Sequence, residues 1–476
     1  MQLRNEQIIM ESMAKKSFIK NVSFAFIANI ISLVTSITIV FILPKFIGVM
    51  QYSYYQLYIF YASYIGFCGI GWVDGVQLRY AGKYYDKLNK PLIFSELKIF
   101  CIIEILCSIS IILITYFLHP EINKAFVYVA VALCVVIYNP RAFLHNLLQI
   151  TGRIKEYAFN IIIEKSIHIT ITLLGIILGK GNFVWFVMSE LLGRFCGAIY
   201  IYIICHDMYV REKIPKSILL KDIKLNITSG LILTFSNIAS MLIIGIIRQF
   251  IITFWSVETF GKISLTLSVS GFILVFINSI AIVFFPFLKR CPKENFKYIY
   301  RKARTTITVI LLGFLILYLP IKIVMSYWLP QYIDSLKYMA ILLPMCLYES
   351  KASLLTTTYM KALRMEKTML YINIAFVTLS FIAAFLISKI LHQLNYMILL
   401  ILAIVMFRYI VSEIILKKQI KIDIYKDMLL EILLTFVFIF TAWIFSDIKG
   451  LIIYLITYLV YLSFKYKDLM LINKQI

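Results

Sequence analysis

Fourteen times along this chain an apolar run reaches bilayer-spanning length: near 18–44, 52–78, 98–117, 124–149, 157–178, 183–206, 225–254, 262–288, 305–324, 335–360, 368–388, 395–416, 428–446 and 449–464. The hydrocarbon core holds no water to satisfy backbone amides, so each such run must close its own hydrogen bonds as an α-helix. With 62% of residues hydrophobic and 15% charged, little chain is left over for a soluble domain. The expected fold class is an all-α integral membrane protein of about 14 transmembrane helices.

The formal net charge of +23 does not point to nucleic acid, because the basic residues lie between the apolar runs. With both termini placed in the cytoplasm, most of the 47 lysines and arginines fall on inner segments, as membrane topology requires. The first residues, with Arg4, Glu6, Glu11, Lys15 and Lys16, are too polar for a signal peptide, so the first span reads as an uncleaved anchor. The eight cysteines form no C-x-x-C pair and none lies in a predicted outer loop, which excludes a disulfide framework and a zinc site. No cofactor is expected, and no phosphate-binding G-x-x-x-x-G-K-[ST] loop occurs.

The outer loops are short, the longest running from Met325 to Asp334, so no outer domain is available to house chemistry. The basic inner connection from Asp207 to Lys224 follows the sixth span and divides the chain. The division predicts a six-helix lobe over 1–206, a cytoplasmic loop over 207–224, a second six-helix lobe over 225–416, and two additional helices with a cytoplasmic tail over 417–476. Lys20–Tyr64 and Thr228–Phe272 share the pattern of a polar-flecked span, a short turn and a second span, so the lobes are expected to be pseudo-symmetric.

Polar residues inside the spans mark candidate sites. In the seventh span Asn226, Asn237 and Arg248 recur every eleven positions, within about 40° of one another on one face shared with Gly230. A lipid-facing helix has no use for such a stripe, so it is expected to line a central cavity; the plainer reading is that Arg248 snorkels to the headgroups. Arg248 and Lys351 have no carboxylate one helical turn away and are expected to carry unpaired positive charge. Lys165 joins them, beside Glu164 in sequence but pointing about 100° away. Holding an arginine near mid-membrane costs about 2.5–3.5 kcal/mol on insertion scales, which a bound diphosphate would offset. Asn29 and Ser36 in the first span, with Tyr58 and Tyr61 in the second, are expected to add polar wall for a glycan, against the alternative that they are helix-packing and core residues. Glu190 with Arg194, Arg408 with Glu413, and Arg141 with Glu164 are expected to be structural pairs, and His168 a hydrogen-bonded core histidine.

The inner end of the second span reads GFCGIGWVDGVQLRYAG, with Gly66, Gly69, Gly71 and Gly75 followed by Arg79 and Tyr80. This segment resembles the glycine-rich element ending in an Arg-Tyr pair in polysaccharide transporters of the multidrug/oligosaccharidyl-lipid/polysaccharide (MOP) flippase superfamily, the branch containing Wzx-type flippases of O-antigen and capsule repeat units. KNVSFAFIANIISLVTSITIVFILPKFIG, LLQITGRIKEYAF and the eighth span ending in Pro286 resemble further elements in the same order along the chain. Where the family often has an Asp-Arg pair this chain has Ile247-Arg248, keeping only the cation.

The resemblance implies a flippase that carries a polyprenyl-diphosphate-linked oligosaccharide from the cytoplasmic to the outer leaflet of the bacterial inner membrane by alternating access. It is not expected to be an enzyme. The implied partners are the lipid-linked oligosaccharide, membrane lipids, a coupling ion (Na+ or H+), and glycan polymerase and chain-length proteins. An ion-coupled multidrug exporter of the same superfamily is the nearest rival, although the first span from Phe18 to Leu43 holds no Asp or Glu. A membrane glycan polymerase or ligase is the rival of another class, and it would need the outer domain that the short loops do not provide.

Overall fold

The computed structural model describes residues 23–473 apart from 25, 210, 211, 213 and 446; for 293, 467–473 and most of 273–290 it describes the backbone alone. The polar leader, Ala25 and the Pro286 side chain therefore lie outside the described residues. Long helices succeed one another: α1 Phe26–Ile47, α2 Val49–Ala62, α3 Trp72–Tyr80, α4 Lys90–Leu118, α5 Ile122–Ile150, α6 Ile154–Ile177, α7 Phe183–Ile204 and α8 Lys216–Phe254. There follow α9 Val257–Arg290, α10 Phe296–Trp328, α11 Met339–Lys351, α12 Glu366–Leu391, α13 Leu394–Ile420, α14 Tyr425–Ile444 and α15 Ile448–Asn473. No strand occurs among the described residues.

Eleven of these helices are long and apolar enough to cross a membrane, or twelve if α2 and α3, bent by 64° at their junction, count as one span. The other two expected spans are also helical, α9 and the stretch from α11 through Ala352–Thr357 to Ala362. The latter carries Glu349, Lys351 and three successive threonines, which dilute its apolarity. The chain is thus a multi-pass all-α membrane protein, and fourteen crossings remain the expectation from sequence.

Local sequence explains the departures from straight helix. Pro44 cannot donate a hydrogen bond and its ring crowds the carbonyl one turn back, and α1 widens to a π-helical turn over Thr38–Ile42 just before it. Between α2 and α3 the chain tightens to a 3-10 turn over Ile65–Gly69, and Ile70 and Gly71 then take left-handed conformations. α10 narrows to a 3-10 turn at Leu315–Leu317, before Pro320.

The helices gather into two compact units, one ending at Phe235 and the other starting at Ser236, so the boundary falls inside α8. α8 itself begins at Lys216, within the stretch 207–224 expected as a loop. In the first unit α8 presses on α3: a side chain at Gly75 would meet the Asn226 carbonyl, and one at Gly230 the Gly71 carbonyl. In the second unit α14 and α15, expected as an appendage, are built into the core. Glu431 of α14 is 1% exposed among charges from α10 and α11, and the Tyr454 hydroxyl of α15 donates to the Leu312 carbonyl at 2.8 Å.

Candidate functional site

Charge inside a lipid-embedded bundle must be compensated, so the site is built from how each unit balances its buried ions. In the first unit, small residues on α7 let α6 approach: a side chain at Gly193 would stand 2.6 Å from the Glu164 carbonyl oxygen. The close approach brings α6 charges against those of α5 and α7. Arg141 of α5 binds Glu164 at 2.5 Å and donates twice to Asn160 Oδ1, whose amide donates to the Gly197 carbonyl. Glu164 also takes Lys165 Nζ at 3.1 Å. On α7, Arg194 pairs with Glu190 and donates to Cys134 Sγ at 2.6 Å. Arg194 and Lys165 both act electrostatically on Glu164 and Glu190, so the groups form one cluster. Three cations, Arg141, Lys165 and Arg194, meet two carboxylates among the described residues, leaving a surplus of one positive charge. Lys165 has the most exposed side chain of the five, at 28%.

The second unit holds a buried cluster whose charges balance among the described residues. Arg304 binds Glu413 at 2.6 Å and Glu431 at 3.4 Å, Lys351 binds Glu431 at 2.5 Å, and Lys465 binds Asp427 at 2.5 Å. Among the described residues three cations face three carboxylates in this cluster, and Tyr300 adds a hydrogen bond to Glu413 at 2.8 Å. Nearby, Arg408 binds Glu349 and Ser240 Oγ, each at 2.6 Å, at the wall of a polar pocket of about 60 Å³. Asn237, Thr356, Thr357, Asn373 and Ser412 complete most of its polar lining.

These placements revise several sequence expectations. Lys351 is not unpaired: it is fully buried against Glu431 and over the Tyr409 ring, because its partner comes from α14, far along the chain. Lys165 leaves the backbone on a different bearing from Glu164, but its long flexible side chain curls back to it. Arg248 is half-buried within two turns of the end of α8, donates to Ser264 Oγ at 2.9 Å and lies over the Phe260 ring. The stripe it was expected to share is divided, since Asn226 is buried between Glu96 and Arg79 in the first unit whereas Asn237 lines the pocket in the second.

Tyr58 is completely buried, beside the Glu190–Arg194 pair, and so belongs to the core rather than to a glycan wall. Tyr61 is half-buried edge-on to Tyr128. Asn29 and Ser36 are exposed on α1, and Ser36 Oγ also donates to the Ser32 carbonyl at 3.0 Å. The Arg141–Glu164 and Glu190–Arg194 pairs form as expected. Arg408 and Glu413 do not pair, because side chains five apart diverge by about 140° on a helix. His168 is buried, but neither ring nitrogen has a hydrogen-bond partner.

Arg304 falls between the expected spans 262–288 and 305–324, yet it is buried inside the bundle. The signal that it is interior was present in the buried stripe Phe296, Tyr300, Arg304 and Thr308, spaced by four. Outside the spans, Asp207 accepts from Lys90 and Tyr85, each at 2.8 Å, and Arg153 lies over the Tyr85 ring. Partial burial works to raise the Asp207 carboxyl, but the hydrogen bonds from Lys90 and Tyr85 and the nearby cations outweigh it and hold it below the ordinary aspartate value.

No family model matches the sequence, and no curated protein does. Solved structures do match. A lipid II flippase MurJ in an inward closed conformation aligns with a TM-score of 0.61 at 14% identity, over 95% of this chain and 100% of that one. An inward-facing multidrug resistance MATE family transporter aligns at 0.59 and 14% identity, over 83% of this chain and 98% of that one. A MOP superfamily transporter from Pyrococcus furiosus, described as having a binding pocket of reversed polarity, aligns at 0.51 and 14% identity, over 86% and 96%. The chain is therefore a multi-pass membrane protein with the fold of MOP-superfamily transporters.

Proposed function

We propose that the protein is a flippase that moves a polyprenyl-diphosphate-linked oligosaccharide repeat unit across the bacterial inner membrane by alternating access, for cell-surface polysaccharide synthesis. The observation that carries this reading is the surplus positive charge of the Arg141–Glu164–Lys165–Glu190–Arg194 cluster, with Lys165 at its exposed edge. An embedded group of ions with net charge +1 is unfavourable by itself, and an anionic headgroup is the ligand that relieves it. Charge-assisted hydrogen bonds to phosphate contribute about 1.5–3 kcal/mol each, enough to offset that cost. The hydroxyl- and amide-lined pocket around Arg408 and Asn237 supplies the chemistry that suits sugar hydroxyls. Arg248 stays a candidate contact at the end of α8; Lys351, neutralised by Glu431, gives no charge to assign to the cargo.

The fold is shared with a multidrug resistance transporter, but a net-positive cluster favours an anionic cargo over a cationic one. Glycan polymerase and chain-length proteins would act on the delivered units. The test is depletion of the protein in its host. Undecaprenyl-linked repeat units should accumulate on the cytoplasmic leaflet, and wild type and Lys165→Arg should clear them while Lys165→Ala should not. Clearance by Lys165→Ala would remove the cluster from the cargo site, and no accumulation at all would remove the flippase reading.

A further inference from the structure

The buried carboxylates of the two large clusters each meet a lysine or arginine, but Glu104 does not. It lies near the middle of α4, about 20 Å from the start of that helix at 1.5 Å per residue, and its side chain faces inward with no exposure. Oε2 accepts from Asn139 Nδ2 of α5 at 2.7 Å, and Oε1 has no partner. The same Asn139 amide donates to the Ile65 carbonyl at 2.9 Å, which ties the carboxyl to the break between α2 and α3. A side chain added at Gly69, inside that break, would stand 3.7 Å from Oε1. The titratable groups around it are thiols: Cys101 and Cys107 on its own helix and Cys68 at the break, with the Tyr202 phenol of α7 beyond Cys101. Among the described residues no basic side chain reaches it.

An ionised carboxylate so placed would carry an uncompensated charge in a low-dielectric interior, a cost far above what one amide donor returns. The group therefore needs a cation of its own. A proton meets that need on the carboxyl oxygen itself, without any further ligand.

We propose that Glu104 carries an exchangeable proton, bound on Oε1 while Oε2 accepts from Asn139, so that the carboxyl is neutral beside the broken helix. Glu96 stands two turns earlier on the same face of α4, about 12 Å away, with Phe100 between them. It accepts from Trp72 at 3.1 Å and Asn226 at 2.8 Å, close to Asp222 and Arg79, whose side chains are partly exposed. This gives the proton an entry at the α3 end of the break, and the Phe100 ring, packed 3.4 Å from the side-chain position of Gly69, is the barrier. The transport reading enters only in what the proton would drive.

The site can be tested without any cargo. Protein reconstituted in lipid nanodiscs is titrated with pH while infrared difference spectroscopy follows the carbonyl stretch of neutral carboxylic acid. The wild type should keep this band at a pH where exposed carboxylates are ionised, Glu104→Gln should lose one carboxyl's intensity, and Asp334→Asn, at an exposed carboxyl, should retain it. If Glu104→Gln fails to fold, Glu104→Asp keeps a carboxyl one methylene shorter and should move the band. A band untouched by either variant overturns the proposal, as does its removal by sodium chloride, but not potassium chloride, at fixed pH. Failure of the Lys165 complementation leaves this measurement unaffected, so the two readings fall separately.

Discussion

Lys351 and Glu431 are both essentially unexposed, and each is tolerable only because of the other. Removing one partner of such a pair strands a buried charge, whereas removing both removes the problem as well. Lys351→Met should therefore lower stability by about 3–5 kcal/mol, and Lys351→Met with Glu431→Gln by distinctly less. Thermal unfolding of the two variants in the same detergent checks the sign of the coupling; equal losses would show that the pair is not a unit. Glu431 also serves Arg304 at 3.4 Å, so part of the second loss comes from that arginine.

At the scale of elements, the contact of α3 with α8 depends on glycine. Gly75→Ala and Gly230→Ala each push a methyl group into backbone that cannot yield, an overpacking cost of about 1–3 kcal/mol or more. Gly66→Ala, with open space around it and an ordinary backbone conformation, should be nearly neutral in the same thermal-shift measurement. A second join, Lys90 at the head of α4 with Asp207 after α7, depends on pH. The Asp207 carboxyl is depressed in the folded protein, so its contribution is present above the unfolded value and is lost as pH falls through the folded one. Asp207→Asn should thus melt earlier than wild type at neutral pH, with the gap closing in acid. The effect should be small, because the pair is partly exposed and screened by solvent.

At the scale of the whole molecule, the alternation of basic segments sets which loops face the cytoplasm. On a background without native cysteines, Gly181→Cys should react with a membrane-impermeant maleimide from outside intact cells. Lys155→Cys should react only after permeabilisation. The reverse pattern would invert the assigned topology.

The apolar runs determined by themselves that this chain is an all-helical membrane protein, because backbone desolvation in lipid depends on segment length and composition and not on neighbours. Helix-local pairs were legible on the same terms: Glu190 and Arg194 lie one turn apart and meet as their spacing requires. The partners of Lys351, Arg304 and Arg408 were not, since they come from other helices and the choice among carboxylates is made by how those helices pack. The bend after Gly69 had a sequence sign in its glycines, but only the folded chain sets Asn139 and Glu104 against it. Spacing along one helix fixes an angle, whereas compensation of buried charge depends on distances between helices, and those exist only once the bundle has formed.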